Sequence, residues 1–131
     1  MKKVILAIAA IATISFTSCN ETKKEKETEK FDTASVEGLE ITTFGVRGNC
    51  GMCKSTIEKA ANGVDGVAKS NWDVDHKVIK VAFDSTKTTL TDIKKAIAAS
   101  GYDTENFSGS ESAYEGLPAC CHYDHEMKMN Q

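Results

Sequence analysis

From residue 39 to residue 107 the apolar positions fall into runs of period two and period 3.6, in alternation. "LEITTFGV" (39–46) is rich in β-branched residues and reads as a strand. "KSTIEKAANGV" (54–64) sets Ile57, Ala60, Ala61 and Val64 at i, i+3, i+4 and i+7, one face of a helix that Gly63 stops. "VAKSNWDV" (67–74) places Ser70, Trp72 and Val74 on one side, and "KVIKVAF" (77–83) does the same for Ile79, Val81 and Phe83. With a short turn between them, these two runs predict a hairpin. "TLTDIKKAIAAS" (89–100) opens on a capping pattern, Thr89 to Asp92, repeats Leu90, Ile93 and Ile97 at helical spacing, and is closed by Gly101. A last short strand is expected within residues 102–107. The order βαββαβ predicts an α+β fold, a ferredoxin-like two-layer sandwich with both helices on one face of an antiparallel sheet.

The flanks do not share this patterning. Lys2 and Lys3 precede an apolar run, Val4–Phe16, too short to span a bilayer, which takes ~20 apolar residues. A basic start, a short apolar centre and small residues after it predict an export signal over residues 1–18. The run ends in "FTSC", which resembles the lipobox of bacterial lipoproteins, with Phe16 where leucine is usual. That resemblance implies lipidation of Cys19 as the new N-terminus and an exported, membrane-anchored protein facing the periplasm or cell exterior. Residues 19–37 alternate lysine and glutamate with hardly an apolar side chain. Such a segment cannot offset its ordering entropy and is expected to be a disordered tether of ~25 Å mean span. Of 16 basic residues two leave with the signal, so 14 face 19 acidic ones and the mature chain is near −5. No basic face interleaved with aromatics is present, which argues against nucleic acid as a partner. The expected organisation is a signal (1–18), a charged linker (19–37), a folded domain (38–108) and a C-terminal tail (109–131).

Cys50 and Cys53 sit in "RGNCGMCKSTIEKA" (47–60), where the first strand hands over to the first helix. Unpaired amides and the helix dipole lower thiol pKa at such a junction. Arg47 and Lys54 flank the pair and are expected to act in the same direction. Thiolate sulfur prefers soft ions, and two thiolates suit an ion content with few ligands, such as Cu(I) or Hg(II). Structural zinc takes four ligands, and no second C-x-x-C completes that set unless Cys120 and Cys121 are borrowed. In an exported protein an even set of cysteines also points to disulfides. A sandwich of this size can bury its apolar stripes without them.

These residues carry a family resemblance. Gly48, Cys50 and Cys53 after the first strand, "GVDGV" (63–67) after the first helix and "SGYD" (100–103) after the second resemble the heavy-metal-associated domain. That family includes copper chaperones, the N-terminal modules of copper-transporting ATPases and periplasmic mercury-binding proteins. The resemblance implies Cys50 and Cys53 as metal ligands, Tyr102 in a loop facing them, and a metal-transporting ATPase or another metal-binding protein as partner. The departure lies between Gly48 and Cys50, where only Asn49 stands and the family's core methionine is missing. Met52, between the cysteines, is expected to be exposed.

A thiol–disulfide oxidoreductase is the competing class, because "CGMC" is close to the redox motif of thioredoxin-like proteins. Those proteins face the motif with a proline, and the one proline here, Pro118, lies in the tail. The tail "AYEGLPACCHYDHEMKMNQ" (113–131) gathers Cys120, Cys121, His122, His125, Met127 and Met129, a soft-metal composition and a possible additional metal site. Adjacent cysteines diverge on a strand, so joint binding needs a turn, which Pro118 helps to set. His76 is expected in an exposed turn and Trp72 in the core. The reading is a membrane-tethered protein, not an enzyme, that binds and transfers or sequesters Cu(I) through Cys50 and Cys53, with mercury or zinc as alternative ions.

Overall fold

The computed structural model describes Phe31 and residues 36–129. The export signal, Cys19 and most of the charged linker lie outside the described residues. β1 (Glu40–Gly45), α1 (Gly51–Asn62), β2 (Val67–Asp73), β3 (Val78–Phe83) and α2 (Leu90–Ala99) follow in the expected order. A short α3 (Glu111–Glu115) and a 3-10 turn (Ala119–Cys121) come after them. The sheet order is β1-β3-β2, antiparallel throughout. Ile79 of β3 is paired with Phe44 on one side and Trp72 on the other, which sets the inward row of the sheet. That row meets Ile57 and Ala61 of α1 and Ile93 and Ile97 of α2 in one fully buried core. Burying an isoleucine of this kind contributes roughly 1.5–3 kcal/mol.

The caps follow the sequence closely. The Thr89 hydroxyl accepts from the Asp92 amide at 3.2 Å, as the capping pattern requires. Gly101, at φ +95°, turns the chain after α2 where a Cβ would stand 2.7 Å from the Tyr114 backbone nitrogen. Only glycine fits that conformation and that approach. Trp72 is fully buried and donates its indole N–H to the Val46 carbonyl at 3.0 Å. His76 is exposed and lies 3.0 Å from the Asp73 carboxylate, as an exposed turn residue would.

The expected fourth strand is reduced to a stub. Thr104 makes a single bridge to Val46, flanked by the Arg47 amide donating to the Asp103 carbonyl (2.9 Å) and the Glu105 amide donating to the Gly45 carbonyl (3.2 Å). The chain then leaves the edge of β1. The Thr104 amide donates to the Phe107 carbonyl, and the Phe107 amide donates to the Thr104 hydroxyl. A hydroxyl that offers the backbone a local partner competes with the ladder, and here it wins. The turn sends residues 109–129 back over the domain. Cys121 and Tyr123 are buried with the core, and Met127 packs against it.

Candidate metal centre

Cys50 holds the N-cap position of α1 with an extended backbone, and Cys53 lies in the first helical turn. Three-residue spacing across that boundary turns both sulfurs to one side, 3.7 Å apart, with both thiols free. Cys53 is fully buried, whereas Cys50 is half-buried. The Asn49 amide donates to the Cys53 sulfur at 3.3 Å. Beneath the loop, the space beside Gly48 is filled by the Trp72 indole, whose Cη2 would stand 2.9 Å from a Cβ at that position. A core tryptophan therefore packs under a loop that lacks the expected methionine. Met52 points outward and is 54% exposed.

The electrostatics differ from the expected pattern in one respect. The Cys50 thiol is lowered to about 7, first by the Cys53 backbone amide; burial opposes this, and the Met52 amide and the Cys53 thiol add to it. Arg47 and Lys54, expected to assist, are engaged elsewhere. Arg47 donates from Nε to the Met127 carbonyl at 2.6 Å and pairs with Asp103 at 3.2 Å. Lys54 donates to the Trp72 carbonyl at 2.9 Å and pairs with Glu58 at 2.7 Å. A cation saturated by its own partners contributes little to a thiol beside it, and the first helical turn carries the effect instead.

The tail delivers one more sulfur. The turn at Ala119–Cys121, capped by Pro118, buries Cys121 and leaves Cys120 exposed. Cys121 is 1% exposed and its Sγ joins those of Cys50 and Cys53, all three lying within 4.8 Å of one another. Burial, then the Cys53 thiol, pushes the Cys121 thiol up to about 12. Cys120 faces outward, with Sγ 3.5 Å from the Met52 sulfur and 4.0 Å from that of Cys121. The other four tail donors are held apart from this cluster. His122 Nε2 contacts the Leu117 carbonyl at 3.1 Å, and His125 Nδ1 contacts the Asp103 carboxylate at 2.7 Å. Met127 packs on the core, and Met129 covers Gly45 on β1.

Tyr102 closes the inner side, as the resemblance implied. It is fully buried, its hydroxyl makes no hydrogen bond to an oxygen or nitrogen among the described residues, and its pKa is raised by burial and by the neighbouring Cys121 and Cys53 thiols. A buried phenol lacking an oxygen or nitrogen acceptor beside three convergent sulfurs fits a site that gains negative charge on binding a soft cation.

The sequence carried no signal for what holds the tail in place. The Asp103 amide donates to the Tyr123 oxygen at 2.8 Å, and that hydroxyl donates to the Gly101 carbonyl at 2.9 Å. Tyr114 donates to the Tyr123 carbonyl at 2.8 Å, and its ring packs against those of Tyr123, His122 and His125. Asn49 donates from Nδ2 to the His122 carbonyl at 2.7 Å and so ties the tail to the cysteine loop.

The heavy-metal-associated domain matches residues 44–103, which contain Cys50, Cys53 and Tyr102 and leave Cys120 and Cys121 outside. The copper chaperone CopZ of Staphylococcus aureus is 36% identical over 55 residues, covering 42% of this chain and 81% of CopZ. Among solved structures, a CopZ metallochaperone shares 33% identity over 50% of this chain and 98% of its own, with a TM-score of 0.48. Oxidized MerP from Ralstonia metallidurans CH34 shares 32% over 51% and 94%, with a TM-score of 0.49. With the matched segment spanning the whole β1–α1 junction and most of its relative, the chain belongs to the heavy-metal-associated domain family.

Proposed function

We propose that this protein is a membrane-tethered Cu(I) carrier whose Cys50 and Cys53 thiolates bind the ion and exchange it with the thiolates of a partner. The observation that carries the reading is the pair of free sulfurs 3.7 Å apart at the head of α1, one of them half-buried with a lowered pKa. The copper chaperone relationship favours Cu(I) over Hg(II) and Zn(II) as cargo. A partner thiolate adds to the bound ion, a shared three-coordinate intermediate forms, and one of this protein's thiolates leaves and takes a proton from solvent. The ion keeps its oxidation state throughout, so the protein is a carrier and not an enzyme. A metal-transporting ATPase or another metal-binding protein suits the receiving role.

Replacing both Cys50 and Cys53 with serine is expected to abolish Cu(I) retention against a Cu(I) chelator under reducing conditions. Equal competition by the double variant would overturn the reading. Disulfide exchange by the wild type at catalytic rates would favour the oxidoreductase class instead.

The tether rests on the sequence of residues 1–37, with Cys19 as the lipidated residue and the domain facing the periplasm or cell exterior. Mass spectrometry of membrane-extracted protein is expected to show acylated Cys19 as the first residue. An unmodified N-terminus elsewhere would refute the anchor.

A further inference from the structure

We propose that Cys121 is the third ligand of a trigonal, all-sulfur Cu(I) site, so that the folded tail converts an exchange site into a retention site. The inference rests on the reading of Cys50 and Cys53 given above and adds a ligand from outside the matched family segment.

Three observations carry it. The Cys121 sulfur lies with those of Cys50 and Cys53 inside a 4.8 Å cluster, the one such cluster of three His, Cys, Asp or Glu ligand atoms among the described residues. The tail that brings it is fastened to the domain directly after Cys121. Tyr123 is locked between Asp103 and Gly101, Arg47 grips the Met127 carbonyl, and Asn49 holds the His122 carbonyl. The ordering cost of a third ligand is therefore met by the fold before metal arrives, which favours binding through preorganisation. The Tyr102 hydroxyl is buried beside the Cys121 and Cys53 thiols and finds no oxygen or nitrogen acceptor among the described residues. A thiolate created by binding supplies an acceptor.

The chemistry balances simply. Each thiol that ligates releases its proton to solvent, and no electron moves. Three thiolates fill the coordination sphere of Cu(I) and fall one short of the four that structural zinc takes. In a two-coordinate site an incoming thiolate finds an open third position. Here Cys121 occupies it, so a partner must first displace the tail. Cys120, one residue earlier, is exposed beside Met52, and its sulfur is outside the three-sulfur cluster.

X-ray absorption and chelator competition on the reduced full chain, with Cys19→Ser in every sample, test the idea. Wild type is expected to show three sulfur scatterers around copper. Cys121→Ser is expected to show two, with Cu(I) lost to the chelator about tenfold faster or more, equivalent to about 1.4 kcal/mol in barrier. Two sulfurs in the wild type would overturn the proposal without reference to any variant. So would a third sulfur that disappears with Cys120→Ser and persists with Cys121→Ser. Because the Cys50 and Cys53 double variant tests the parent reading alone, the two failures are separable: the pair can hold copper while Cys121 does not.

Discussion

Cys50 and Cys53 are one motif in sequence and two chemical environments in the structure. The half-buried Cys50 has its thiol lowered to about 7, chiefly by the Cys53 amide, while Cys53 is sealed from solvent. Alkylation mapped by mass spectrometry should therefore label Cys50 with a rate that rises through a midpoint near pH 7. Cys121, held up to about 12 by burial, should stay unlabelled across the same range. A Cys50 midpoint at the ordinary thiol value of ~8.5 would show that the helix start does not activate it. The convergence of two thiols was legible from two cysteines at a strand-to-helix junction. The indifference of Arg47 and Lys54 was not, because a flanking charge in sequence carries no information about which acceptors it will meet.

At the scale of elements, the stub in place of the last strand is what gives the tail its path. Asp103 is its pivot. Its side chain is 5% exposed, accepts from the Gly109 amide at 2.7 Å, and meets Arg47 and His125. Burial pushes its pKa up, but the Gly109 and His125 hydrogen bonds outweigh that and hold it below the ordinary carboxylate value of 3.8. A depressed folded-state pKa contributes stability that is present above the unfolded value and is lost as pH falls through the folded one. The tail's docking should therefore weaken below about pH 4. Asp73, held at about 2 chiefly by His76, titrates in the same window, so the wild type alone does not isolate the effect. Asp103→Asn should lower stability by about 2 kcal/mol at neutral pH and flatten the acid limb, read by near-ultraviolet circular dichroism of the tyrosine cluster. An unchanged acid limb would count against Asp103 as the pivot. Alternation and capping made β1 to α2 legible; the competition between one hydroxyl and a ladder at Thr104 was not.

Across the whole molecule, the matched domain and the tail share one buried cluster that runs from Phe44 to Tyr123. Tyr123 is the central fastening, with its hydroxyl between the Asp103 amide and the Gly101 carbonyl. Tyr123→Phe removes both bonds while keeping the ring. Amide exchange is expected to accelerate about tenfold or more at Asp103 and at Cys121 together, as one cooperative opening costing ~1–2 kcal/mol less. Acceleration at Asp103 alone would mean that the tail is held independently of this residue.

The sequence by itself determined the order of elements from β1 to α2, the core rows and the placement of a thiol pair at a helix start. Those depend on local periodicity and on residues a few positions apart. It also presented six soft donors in the tail without ranking them. Cys120 and Cys121 are chemically identical neighbours, and only the 3-10 turn after Pro118 buries one beside Cys53 and leaves the other in solvent. That choice depends on contacts between segments far apart in the chain, where packing and hydrogen bonding, rather than pattern, decide which way a side chain faces.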